Sequence, residues 1–288
     1  MGNVRLIRRR IKGVQSISKI TKAMEMIAAS KMRRTQERGL QGRPYTQKIT
    51  EVMASLAAVS QGKSTHPLLE VRQPPKRIEL VHIAPDRGLS GGLVSNLNRR
   101  AANFILEEGL PTSVVAVGRK GVEFMRRTSQ DVVAEFVQLG DKPSLLDTLP
   151  ITRIVMDDFI KGKTDAVYVC YARFVNTMVQ TPTVTRILPV VTPTLGAGAT
   201  KNLTEYIFEP NADTVLNALL PRFVEMGVYH AVLESIASEQ SARMIAMRNA
   251  TKSAHELIDD LTLVYNKARQ ESITTELLDI IGGAAALT

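Results

Sequence analysis

The sequence predicts an α/β chain in which a long antiparallel coiled coil of N- and C-terminal helices brackets a central α/β domain. Three observations lead to this. The first 43 residues keep a helical apolar rhythm with no proline before Pro44. The middle of the chain alternates short apolar runs with amphipathic stretches, the signature of strands linked by helices. Beyond Asp213, a plausible N-cap, helix-compatible sequence continues to about Leu287.

At the N-terminus the apolar positions are Val4, Ile7, Ile11, Val14, Ile17, Ile20, Met24 and Ile27. Steps of three and four alternate, except for consecutive threes from Ile11 to Ile20. That reads as a heptad seam with a stammer, which overwinds a coiled coil. The helix is expected to reach about Val59, with Gly39, Gly42 and Pro44 weakening or bending it. A continuous helix of about 55 residues spans roughly 80 Å. The sequence divides into an N-terminal helix (1–60), a linker (61–76), a central α/β domain (77–194), a connecting segment (195–210) and a C-terminal helix (211–288).

In the central domain, RIELVHIA (77–84), SVVAVG (113–118), VVAEF (132–136) and DAVYVCYARF (165–174) read as buried strands. Helices are expected between them, which implies a parallel-rich sheet, and MVQTPTVTRILPV adds an antiparallel edge. In the C-terminal helix, Leu257, Leu261, Val264 and Ala268, then Leu277, Ile280, Ala284 and Leu287, keep three-four spacing. Pro221 is expected to kink or split it. Neither long helix buries its seam alone, so pairing of the two chain ends is the economical solution.

Charge is the other strong signal. Residues 1–43 hold twelve Lys and Arg against Glu25 and Glu37, a net +10 in a chain whose total is +9. Self-repulsion on that scale calls for a partner. Nucleic acid is one reading, since clustered cations release phosphate counterions. No aromatic residue precedes Tyr45 to stack on bases, and a helical protein partner fits better.

Other chemistry is excluded or weakly signalled. No apolar run approaches the roughly 20 residues of a membrane span. The single Cys170 lies in a strand-like run and reads as buried filler. His66, His82, His230 and His255 fall in different elements without ligand spacing, so no metal or cofactor is expected. The loop APDRGLSGG before a helix invites a phosphate reading, but Gly88, Gly91 and Gly92 match no nucleotide fingerprint. The adjacent pairs Asp157/Asp158 and Asp259/Asp260 diverge by about 100° on a helix and build no shared carboxylate site.

The stretch ITKAMEMIAASKMRR (20–34) resembles the N-terminal helix of the gamma subunit of F-type ATP synthases. SEQSARMIAMRNAT (238–251), LVYNKARQ (263–270) and ITTELLDIIGGAAAL (273–287) resemble that family's C-terminal helix, with Ile273, Thr274, Glu276, Asp279, Gly283, Ala284 and Ala286 on its pattern. DRGLSGGL (86–93) is similar to its central loop; many members carry Cys where this chain has Ser90, so no redox role is expected there. The cysteine-bearing insert of chloroplast members is missing. The resemblance covers essentially the whole chain.

It implies a Rossmann-like central domain and a non-catalytic rotor. The partners implied are the alpha and beta subunits of the hexamer, the epsilon subunit and the c-subunit ring. Nucleic acid is not among them, and membrane association is indirect. Lys19, Lys22, Met24, Glu25 and Arg243 are expected to face the beta subunits, as are Gln270, Thr274 and Glu276. Ala284, Ala285, Ala286 and Leu287 are expected to form an uncharged tip in the hexamer collar. Tyr206, Phe208 and Glu209 are expected to form the foot on the c ring. The location expected is the cytoplasmic face of a bacterial plasma membrane, with an organellar membrane as the alternative.

Overall fold

The computed structural model describes residues 2–59, 66–190, 208–209 and 211–285. In chain order the elements are α1 (Gly2–Val59), β1 (Ile78–Ile83), α2 (Leu93–Glu108), β2 (Thr112–Val117), α3 (Arg119–Arg127), β3 (Asp131–Phe136), α4 (Leu145–Ile160), β4 (Ala166–Phe174), β5 (Gln180–Leu188) and α5 (Ala212–Ala285). A short 3-10 turn, Pro67–Leu69, precedes β1. The chain forms two compact units. One comprises Met1–Ala28 with Arg243–Thr288, and the other is Ala29–Ala242.

The larger unit is built on a five-stranded sheet of order β3-β2-β1-β4-β5. β1 pairs parallel with β2 and β4, β2 pairs parallel with β3, and β5 closes the edge antiparallel to β4. All five expected strands form, within a residue or two of the expected ends. Edge position explains how β5 tolerates Pro182, opposite Ala172, without a ladder donor.

Strand pleat sorts the core into two layers. Val81, Ile83, Val115, Val117, Val167 and Val169 face one side, with Ile151, Val155 and Phe159 of α4. Ile78, Leu80, Val114, Ala116, Cys170 and Ala172 face the other, with Leu97, Ala101 and Phe104 of α2 and Met125 of α3. A sheet covered on both faces needs apolar residues at nearly every strand position, which is why these runs read as continuous rather than alternating. Cys170 is fully buried, and burial pushes its thiol up to about 12, so it serves as filler.

The long helices also belong to this core. Met53 and Leu56 of α1, and Leu216, Leu220, Val224 and Val228 of α5, are buried in the first layer. At about 1.5–3 kcal/mol each, an upper range, six such side chains outweigh a single helical defect. That accounts for Pro44 and Pro221 lying inside uninterrupted helical spans. Pro221 costs roughly 3 kcal/mol as an interior proline, so the expected split does not occur. Gly42 has its own reason: a Cβ there would sit 3.1 Å from His230 Cε1, so the glycine permits close packing.

Local signals fix other ends. The Asn211 side chain accepts from Thr214 N–H at 2.8 Å and caps α5, so Asp213 is not the cap but an acidic residue in the first turn. At α4, the Asp147 carboxylate accepts from Ser144 N–H at 2.7 Å and Ser144 Oγ at 2.8 Å. Gly118 (φ 85°) ends β2 where a Cβ would come 1.8 Å from Ala84 O, so only glycine fits.

In the smaller unit the inward positions of α1 are Val4, Ile7, Ile11, Val14, Ser18, Thr21, Glu25 and Ala28. Their spacing alternates three and four throughout, so the expected stammer is absent. The apolar trace leaves the seam after Val14. Ile17, Ile20 and Ile27 are 54%, 59% and 55% exposed, while small or polar residues continue the heptad. On α5 the seam runs Met244, Met247, Thr251, Ala254, Ile258, Leu261, Tyr265 and Ala268, not through Leu257 and Val264.

Two buried titratable groups sit on β1. Both Glu79 carboxylate oxygens lack partners, and burial, then Asp158, push the group up to about 7 against the pull of Lys163. His82 bonds Asn98 at 2.8 Å, yet burial holds it down at about 4.

Two outcomes are expected. Ile20→Asp changes the urea-unfolding free energy by no more than about 0.5 kcal/mol, whereas Ala28→Asp costs about 3–5 kcal/mol by burying an unpaired charge. Comparable losses at both sites would contradict the assigned seam. Native Glu79 keeps a proton that the unfolded carboxyl releases above its ordinary 4.5, so its contribution is lost as pH rises from 4.5 through about 7. His82 acts oppositely, its contribution being lost as pH falls from 6.5 through about 4. Glu79→Gln is therefore expected to raise Tm relative to the parent at about pH 8, with the difference shrinking towards about pH 4.5. A pH-independent difference would contradict this.

Candidate functional site on the paired terminal helices

Three cross-helix contacts define how the chain ends pair. Ser18 Oγ and His255 Nε2 are hydrogen-bonded at 3.2 Å, Thr21 and Thr251 hydroxyls at 2.7 Å, and Arg248 Nε donates to Glu25 Oε1 at 3.1 Å. As residue number rises on α1 it falls on α5, so the helices are antiparallel. The Thr21 hydroxyl also reaches Ser18 O (3.1 Å) and that of Thr251 reaches Met247 O (2.9 Å). One threonine therefore donates across the seam while the other donates along its own helix.

Glu25 is the electrostatic centre of this layer. It is only 7% exposed, and its second oxygen receives Lys22 Nζ at 3.0 Å. The Lys22 hydrogen bond, then that of Arg248, hold its carboxyl below the usual range despite desolvation. Removing Glu25 would leave two cations facing each other. The lysine and arginine heads remain more than half exposed, so the pair presents positive charge outward while its counter-charge stays inside.

The expected site residues fall as follows. Lys19 and Lys22 are exposed, Met24 and Arg243 half-buried, and Gln270, Thr274 and Glu276 exposed. The structure brings Lys22 and Glu25 together and leaves Gln270, Thr274 and Glu276 on a separate stretch, where Ser272 Oγ donates to Glu276 Oε1 at 3.3 Å. Ala284 and Ala285 belong to α5, and Ala286 and Leu287 lie outside the described residues. Tyr206 also lies outside them. In the larger unit, Phe208 packs half-buried against the core and Glu209 is exposed. Sequence reasoning missed Ser18, Thr21, Thr251 and Arg248. The available signal was small polar residues at unbroken heptad spacing.

By the register of these contacts, Gly2 lies level with about residue 271. Beyond it α5 has no partner helix among the described residues, and Ile273, Leu277, Leu278, Ile280 and Ile281 are 49%, 54%, 63%, 68% and 63% exposed. Isolated exposed apolar residues are ordinary, but a cluster on an unsupported helix marks an interaction surface.

The loop after β1, in the larger unit, does not offer a phosphate cradle. The Asp86 carboxylate accepts from Arg119 N–H and Gln138 N–H, each at 3.0 Å, tying neighbouring loops together. The cavity at the carboxyl ends of β1 and β2 measures about 40 Å³ and is lined by Asp86 and Glu239. Its size and two acids exclude a nucleotide. Among the described residues no group of acids, histidines and cysteines could hold a metal, and no helix is long and apolar enough to cross a membrane.

Comparisons with known proteins agree with this arrangement. The family described as ATP synthase matches residues 3–287. The ATP synthase gamma chain of Dehalococcoides mccartyi is 64% identical over 288 residues, covering all of both chains. A chain in the central stalk and c-ring structure of the Tetrahymena thermophila mitochondrial ATP synthase superposes with a TM-score of 0.62 at 27% identity, over 80% of this chain and 99% of that one. A chain of the Euglena gracilis mitochondrial enzyme shares the fold, with a TM-score of 0.72 at 21% identity, over 99% and 95% of the two chains. Full-length identity at this level leaves one assignment for the paired helices and the sheet between them: the chain belongs to the ATP synthase gamma chain family.

Proposed function

We propose that this chain is the central-stalk rotor of an F-type ATP synthase, carrying torque between a c-subunit ring and the alpha/beta hexamer without catalysing a reaction itself. The observation that carries the reading is α5 running on past the level where α1 begins, with apolar side chains exposed around it. An exposed apolar stretch of this kind suits burial in a partner. A collar of alpha and beta subunits that turns around an uncharged tip suits Ala284 to Leu287 and the apolar residues before them.

The basic surface of α1 supplies the second kind of contact. Lys19, Lys22 and Arg243, with Met24 beside them, meet acidic segments of the beta subunits in passing. Glu25 acts from within by positioning Lys22 and Arg248. Gln270, Thr274 and Glu276 form an upper contact with beta. Phe208 and Glu209, with Tyr206, belong to the foot against the c ring, Phe208 by anchoring it to the core. The epsilon subunit shares that lower region.

An asymmetric shaft makes three equivalent catalytic sites inequivalent, because each rotary angle offers each beta subunit different contacts. Ion flow through the ring supplies about 2.3 kcal/mol per charge per 100 mV. The helix pair and α/β domain transmit that energy. The reading extends to the cytoplasmic face of a bacterial plasma membrane; the bacterial relative of 64% identity supports the bacterial setting.

Deleting residues 272–288 tests the carrying observation. The truncated chain is expected to assemble with alpha and beta subunits, yet ATP-driven ion pumping falls several-fold relative to hydrolysis. Undiminished pumping per ATP, or a chain that purifies as a stable monomer with turnover of its own, would contradict the reading.

A further inference from the structure

Within the larger unit, α1 and the loop after β3 border an open cleft of about 390 Å³ lined by Lys31, Arg34, Thr35, Arg38, Leu139, Gly140, Asp141 and Lys142, of which Arg34, Asp141 and Lys142 are exposed. Four of these eight residues are cationic and one is acidic. The acid is already committed: Asp141 receives Lys31 Nζ at 2.6 Å and, on its other oxygen, Gln240 Nε2 at 3.4 Å. Arg34, Arg38 and Lys142 form no ion pair or side-chain hydrogen bond among the described residues.

Arg34 and Arg38 stand one helical turn apart on the same face, where like charges repel. Lys142 approaches from the loop. Glu37 lies three residues beyond Arg34, a spacing at which side chains can meet, but no ion pair joins the two among the described residues. Thr35 is 4% exposed and spends its hydroxyl on Lys31 O at 3.0 Å. Three cations without an ion pair thus line one concavity, whose single acid, Asp141, is held by Lys31 and Gln240.

We infer that this cleft is a binding site for a compact multivalent oxyanion of the phosphate class, held by Arg34, Arg38 and Lys142. Guanidinium forks match phosphate oxygens in bidentate geometry, and two such forks with a lysine suit a diphosphate better than a single carboxylate. The volume lies at the small end of ligand sites. No aromatic side chain lines it, so a base would find no stacking face and the phosphate groups carry the recognition. The bound anion bridges α1 to the β3–α4 loop and stiffens the base of the helix. The site is independent of the rotor reading.

Site-mapped arginine modification tests it. The purified full chain, and separately its complex with alpha and beta subunits, is treated with phenylglyoxal and the rate at each arginine is followed by peptide mass spectrometry. Pyrophosphate, orthophosphate and ADP are separate arms, against potassium chloride at equal ionic strength. Saturating pyrophosphate is expected to slow Arg34 and Arg38 by about fivefold or more while exposed Arg33 changes by less than about twofold. Lys142→Gln weakens that protection. Protection by ADP at lower concentration than pyrophosphate would assign the phosphates to a nucleotide; the reverse assigns a free anion. Equal protection of Arg33, or none at Arg34 and Arg38, overturns the site. So does a complex in which both arginines are unreactive before any anion is added, since an acidic protein surface then occupies the cleft. Failure of the chain to join alpha and beta subunits would count against the rotor reading and leave the free-chain result standing.

Discussion

Ser18, Thr21 and Glu25 face inward along α1, and inward polar groups hold a structure together only when the opposite helix supplies partners at the same level. α5 does so with His255, Thr251 and Arg248, one for each. A slip by one helical turn would leave the buried Glu25 carboxylate with Lys22 alone and strand one of its oxygens, while the seam hydroxyls lose their partners as well. Apolar seams tolerate sliding; this one does not. The register of the chain ends, and the level at which α5 emerges alone, follow from it.

The arrangement also sorts charge from grease. The strong basic excess of the first 43 residues is carried on the outer faces, while Glu25 in the seam stays inside to hold one of its cations, Lys22, together with Arg248 of α5. Exposed isoleucines lie beside those cations, at Ile17, Ile20 and Ile27. A surface mixing apolar patches with long flexible charges suits contacts that form and release as a shaft turns, since exposed ion pairs bind weakly and exchange readily.

Much of this was legible in the sequence, and the failures are instructive. The doubly covered sheet was readable because strands buried on both faces carry mostly apolar residues without alternation, as IELVHI and TSVVAV do at four of six positions each. The edge strand was readable from its place after β4. The seam was misread between Ile17 and Ile27 because following apolar residues cannot reveal a seam that turns polar. Isoleucines that look like core stand exposed on this chain, and Thr21 and Glu25 look like surface until their partners are known. The same blindness applied to Pro221. Local preference argues for a kink or split there, but the buried Leu216, Leu220, Val224 and Val228 around the proline favour continuous helix; α1 reaches Val59 as expected, with Gly42 fitted against His230.

The central claim is that the two ends of the chain pair antiparallel in this register and move as one body. A disulfide between positions 21 and 251 tests it most directly, because the two threonine hydroxyls lie 2.7 Å apart and Cys170 is buried and cannot compete. In the assembled complex, Thr21→Cys with Thr251→Cys is predicted to cross-link under mild oxidation and to retain ATP-driven ion pumping once linked. A pair that fails to cross-link, or a linked shaft that hydrolyses ATP without pumping, would contradict the account.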